Sequence, residues 1–106
     1  MSATTIPVHL SRNMYWKPVI HLFKNHSKLQ DYFTTKYFDL ENEVIQIRKL
    51  KAVAKPWSQS EKFMLNLAFH LFNDSNKLPN GLGGMACLDE NNTKLAVEAI
   101  QLRFGA

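Results

Sequence analysis

The chain has 106 residues, 45% hydrophobic and 21% charged, with 13 Lys+Arg against 9 Asp+Glu and a formal net charge of +4. That length suits one globular domain with one core, and the apolar share is too high and the net charge too small for intrinsic disorder. The N-terminal run Met1-Ser2-Ala3-Thr4-Thr5-Ile6-Pro7 lacks the basic start and apolar stretch of a secretory signal. No stretch approaches the roughly 20 apolar residues of a spanning helix, and the single Cys87 cannot form an internal disulfide. The expectation is a cytoplasmic protein without membrane contact, built as a loose segment 1–7 followed by one helical domain over 8–106.

In chain order, Pro18 suits the first turn of a short helix, with Val19, Ile20, Leu22 and Phe23 on one face and Trp16 extending it. A helix over Lys28 to Tyr37 is predicted from a Ser27/Gln30 capping box and from Leu29, Tyr32, Phe33 and Tyr37 on one side. Between Phe38 and Lys55 two readings stay open. Phe38 to Leu40 and Val44 to Ile47 pair as a hairpin across Glu41-Asn42-Glu43, followed by a short helix from Arg48 to Lys55, or the segment is helical throughout.

The strongest helix runs from Gln59 to Asn73. Ser58 and Glu61 form its capping box, and apolar residues leave only a narrow polar line of Lys62, Asn66, His70 and Asn73. Such a helix is central, with neighbours on several sides. The cluster Pro79-Asn80-Gly81-Leu82-Gly83-Gly84 reads as a flexible turn. A last helix, Glu90 to Phe104, has Asp89 as cap, Arg103 in its final turn and Gly105 after it. Leu95, Ala96, Ala99, Ile100 and Arg103 follow one face, Val97, Leu102 and Phe104 widen that face, and the alanines suit close packing on the central helix. The fold class is therefore mainly α, about four to five helices, with a minor hairpin near 38–47 as one reading.

Catalytic and metal constellations were sought by spacing. The four histidines and Cys87 show neither Cys-x-x-Cys nor two histidines four apart, so scattered surface histidines are the plainer reading. Asp74-Ser75-Asn76 begins like a calcium loop, but Leu78 stands where an oxygen ligand belongs. Cys87 lies just before a helix, yet Met85, Ala86 and Leu88 around it indicate a small buried hydrophobe. Gly81-Leu82-Gly83-Gly84 matches neither the phosphate-loop nor the dinucleotide pattern. No catalytic residue, metal or cofactor is assigned, and the chain is read as a non-enzyme.

Charge is the asymmetric feature: residues 1–56 hold nine bases and four acids, net +5, and residues 57–106 four bases and five acids, net −1. Arg48, Lys49, Lys51 and Lys55 form the densest group, with Arg48, Lys51 and Lys55 on one helical face. Phosphates are one ligand for such a stripe. Twelve aromatics are many for this length, and Trp and Tyr anchor protein interfaces. Tyr15, Trp16 and Trp57 border the predicted elements, so they are the expected partner anchors, with the basic group giving electrostatic steering.

Lys55-Pro56-Trp57-Ser58-Gln59-Ser60-Glu61-Lys62-Phe63 through Leu71-Phe72-Asn73, Leu88-Asp89-Glu90-Asn91-Asn92 and Ala99-Ile100-Gln101-Leu102-Arg103-Phe104 together resemble small uncharacterised proteins of Gram-positive bacteria and their phages. The resemblance covers the C-terminal half and brings no catalytic motif. It implies a phage- or mobile-element-borne accessory protein, for which binding and inhibiting a host protein is a common role. The leading expectation is thus a module that binds and modulates another protein. A basic nucleic-acid-binding protein and a structural subunit of a homo-oligomer are the alternatives.

Overall fold

In the computed structural model, which describes residues 6–73, 75–78 and 81–105, the helix over Gln59–Phe72 (α4) buries half of its residues, but the helix over Trp16–Asn25, not this one, meets most of the other elements. The capping box of α4 forms as the sequence requires. The Ser58 hydroxyl accepts the Glu61 N–H at 3.3 Å and the Glu61 carboxylate accepts the Ser58 N–H at 3.0 Å. Phe63, Met64, Leu65, Leu67, Ala68, Phe69 and Leu71 are all buried, each fully buried Leu or Met contributing roughly 1.5–3 kcal/mol.

Before it come a single turn, Val8–Ser11 (α1), and Trp16–Asn25 (α2). Helix α2 begins two residues ahead of Pro18 because the Asn13 side-chain oxygen accepts the N–H groups of Tyr15 and Trp16 at 2.8 and 3.2 Å. The helix over Glu90–Phe104 (α5) starts where Asp89 accepts the Asn92 N–H at 2.8 Å. Ala96 and Ala99 are fully buried at its contact face, as their small size demands. Trp16 meets Phe72 and His21 meets Glu98, while Arg103 reaches the Leu71 carbonyl. Helices α4 and α5 therefore run side by side in one direction, with α2 antiparallel to both.

The segment 38–53 follows the hairpin reading. Phe38–Asp39 (β1) pairs antiparallel with Val44–Ile45 (β2), Phe38 opposite Ile45 and Asp39 opposite Val44. Phe38, Leu40 and Ile45 enter the core while Asp39 and Val44 stay outside, the alternation a half-buried ribbon requires. Asn42 closes the turn on the Asp39 carboxylate through its N–H at 3.1 Å and its amide at 2.8 Å, which holds the Asp39 carboxyl below its ordinary range. Glu43 completes the reversal at φ 58°. Ile47–Val53 (α3) then leads to Pro56 and the α4 cap.

The helix expected over 28–37 is only a 3-10 turn, Leu29–Tyr32. Ser27 does not cap it. The His26 ring takes that place, its Nδ1 accepting the N–H groups of Lys28 at 3.2 Å and Leu29 at 3.4 Å. Beyond Tyr32 the backbone leaves helical values at Phe33 because the rings are worth more apart than on one face. Phe33 and Phe38 meet edge to face at 4.9 Å, both against Phe23, and Tyr32 lies between Tyr37 and Trp57. Pro79 and Asn80 of the expected glycine turn, Asp74 of the calcium-like triplet and residues 1–5 of the N-terminal segment lie outside the described residues. Gly81–Cys87 is wound in 3-10 turns, with Gly81 at φ +55°.

Candidate functional site

Two of the three expected aromatic anchors belong to the core. Trp16 is 3% exposed and packs edge-on against Phe72 at 5.1 Å. Trp57 is 8% exposed, 5.1 Å from the Tyr32 ring and under the Lys28 ammonium at 5.5 Å. Neither ring has free surface for a partner, which corrects the sequence expectation: residues that border an element in the chain close the seams between elements in space. Tyr15 is different, 42% exposed at the start of α2.

Tyr15 stands against the end of α5. The Arg103 guanidinium lies 4.3 Å from the Tyr15 ring centre and 4.6 Å from that of Phe104, a cation between two aromatic faces. Its Nε donates to the Leu71 carbonyl at 3.1 Å, one of the carbonyls that the last turn of α4 leaves without an intrahelical donor. The positive charge also suits the C-terminal ends of two parallel helices. Arg103 is thus fixed in place, and it holds Tyr15 and Phe104 in the open. Phe104 is 69% exposed, because α5 reaches it where α4 has ended. Beside it, Leu67, Leu71, Leu78 and Ile100 wall an apolar cavity of about 470 Å³ with Leu82, 63% exposed, and Lys77 at its rim.

The basic group lies on another side. Arg48, Lys49 and Lys51 project from α3 and Lys55 from the turn after it, all exposed. Lys51 reaches over the Phe69 ring at 6.0 Å. Lys62 of α4 joins Lys51 and Lys55 around a shallow cavity of about 240 Å³. Among the described residues no carboxylate pairs with any of these five cations, and Glu61, the nearest acid in sequence, is engaged by its capping box.

The histidines are not all at the surface. His9 faces Glu43 at 3.5 Å, His21 faces Glu98 at 3.0 Å, and the His70 ring is bonded to the Asn76 carbonyl. His26, 3% exposed, is the buried one. Burial pushes its pKa below the ordinary 6.5, opposed by the carboxylates of Glu61 and Asp89 at the starts of α4 and α5. Protonation costs the fold twice, by charging a buried ring and by removing the acceptor that caps the 3-10 turn. Because the folded-state value is lowered, this contribution to stability is complete above pH 6.5 and is lost as pH falls through the folded value. Thermal unfolding followed against pH is expected to show that acid loss in the wild type and a shallower one in His26→Gln; equal slopes would assign it to other groups.

Comparison of the chain with models of protein families, with curated proteins and with solved structures returned no match. Cys87, expected as a buried hydrophobe, is exposed, its thiol donating to the Gly84 carbonyl at 3.0 Å. Arg103 and Phe104 were read as a dipole charge and a core residue. The signal for the exposure of Phe104 is its place at the last position of the last helix. No helix among the described residues is long and apolar enough to cross a membrane.

Proposed function

We propose that this is a non-enzymatic, cytoplasmic protein-interaction module, phage- or mobile-element-borne as the resemblance implies, which binds another protein and modulates it. The observation that carries the reading is the stack of Tyr15, Arg103 and Phe104, exposed on both aromatic sides beside an apolar cavity. Arg and aromatic residues held rigid before binding are the composition of interface hot spots, since little side-chain entropy remains to be lost. Its chemistry fits an apolar side chain of the partner flanked by carboxylates, the former entering between Leu71 and Ile100, the latter meeting Arg103 and Lys77. The cations of α3 and Lys62 favour the same acidic partner by steering its approach.

The test is capture from the cells that carry the protein, wild type and Phe104→Ser side by side. Phe104 is exposed, so the variant is expected to keep its stability within about 0.5 kcal/mol. Partner affinity is expected to fall by about 2 kcal/mol, roughly thirtyfold, and recovery of the partner with it. Equal recovery by both forms would remove this surface from the reading. Self-association in light scattering, lost in Phe104→Ser, would replace the partner by a second copy.

The five cations, which have no carboxylate partner among the described residues, also favour a second reading, binding of nucleic acid. Neutralising five phosphates of a duplex gives a slope of about −4.5 in log affinity against log salt. Absence of any shift at low salt would end it.

A further inference from the structure

The polar line of α4 borders two cavities apart from the Tyr15, Arg103 and Phe104 surface. Lys62 and Asn66 line both. On the α3 side lies the cavity of about 240 Å³, where Lys51 and Lys55 join Lys62. On the other side a cavity of about 450 Å³ is walled by Gln59, Phe63, Gly83, Gly84 and Cys87. Sharing Lys62 and Asn66, they adjoin across α4 as one open groove, with Lys51 and Lys55 at one end and no cation but the shared Lys62 at the other.

We propose that this groove binds a free nucleoside monophosphate, its phosphate among Lys51, Lys55 and Lys62 and its base in the glycine-walled half. The phosphate end follows from charge. Three cations line the smaller cavity, no carboxylate lines either cavity, and no carboxylate among the described residues neutralises them. The base end follows from the walls. The edge of Phe63, which is otherwise buried, with Ala86 and the glycine backbone gives a largely apolar wall, and the amides of Gln59 and Asn66, which make no hydrogen bond to another described residue, each offer a donor and an acceptor to a base edge. Gln59 and Asn66 are two turns apart, about 10 Å along α4, within the reach of one nucleotide. The cations mark one end of the groove rather than its length, so a ligand with a single anionic terminus fits, whereas a strand needs a cation for each successive phosphate. The combined volume lies in the range of small-molecule sites.

Cys87 supplies the assay, since it is exposed, lies in the groove and is the chain's one cysteine. Its alkylation by a maleimide is measured alone and with AMP, GMP, CMP or UMP, with the matching nucleosides and with inorganic phosphate. At least one monophosphate is expected to slow alkylation several-fold and to shift the amide resonances of Lys62 and Asn66. Its nucleoside and phosphate alone are expected to bind at least about tenfold more weakly, because each lacks half of the contacts. Lys55→Gln and Lys62→Gln are each expected to weaken the monophosphate about tenfold while leaving the unfolding midpoint unchanged, since both side chains are exposed. Unchanged alkylation and resonances with all four monophosphates would overturn the proposal. So would phosphate alone acting as strongly, or an oligonucleotide binding far more tightly than its monomers with a steep salt dependence. None of these outcomes bears on Tyr15 or Phe104, so the partner surface stands or falls separately.

Discussion

Phe23→Ala is expected to lower the free energy of unfolding by about 3–5 kcal/mol. The Phe23 side chain is fully buried on α2 and meets the rings of Phe38 at 4.8 Å and Phe33 at 6.3 Å. It is where the helical layer holds the irregular 29–45 segment. Truncation leaves a cavity between a helix and a two-residue ribbon that is marginal without such support. Against a total of about 5–15 kcal/mol for a domain, the variant retains little. Urea unfolding should show a lower midpoint, and a lost hairpin should appear as proteolysis between Thr34 and Gln46 before global unfolding. A midpoint close to wild type would mean that the aromatic cluster does not carry the segment.

Trp57→Ala is expected to cost about the same, 3–5 kcal/mol. Trp57 is 8% exposed beside Tyr32, with the Lys28 ammonium above it, and its backbone N–H, which the variant keeps, donates to the Ala54 carbonyl after α3. It thereby ties α3, the 3-10 turn and the start of α4. Trp57→Phe keeps most of the apolar volume and is expected to lose less, restoring stability and partner binding together. A stable Trp57→Ala that has lost a partner would instead make Trp57 an anchor and contradict its place in the core.

The parts of the fold written in local chemistry were legible. Ser58 with Glu61 and Asp89 with Asn92 place two helix starts to the residue, and the alanines of α5 mark its buried face, although α5 packs more on α2 than on α4. The hairpin was legible only as an alternative, because Phe38 and Ile45 pair across a turn whose geometry depends on Asn42 reaching Asp39. The 28–37 segment misled, since a pattern with helical spacing was resolved by long-range contacts among rings and by a histidine cap that no capping motif contains. The basic group was legible as charge. Its meeting with Lys62 was not, because that depends on how α3 folds back on α4. The exposure of the aromatic residues was not legible. Trp16 and Trp57 are inside, and the exposed stack takes its Arg and Phe from the far end of the chain.

The central claim is that the Tyr15, Arg103 and Phe104 surface meets another protein. A photoreactive amino acid placed at position 104, and as a control at the exposed Asp39 on the ribbon, tests it most directly in the cells that carry the protein. The account predicts one discrete cross-linked protein from position 104, lost when Tyr15→Ser is added, and none from position 39. Cross-links only between copies of this chain, or the same products from both positions, would contradict it.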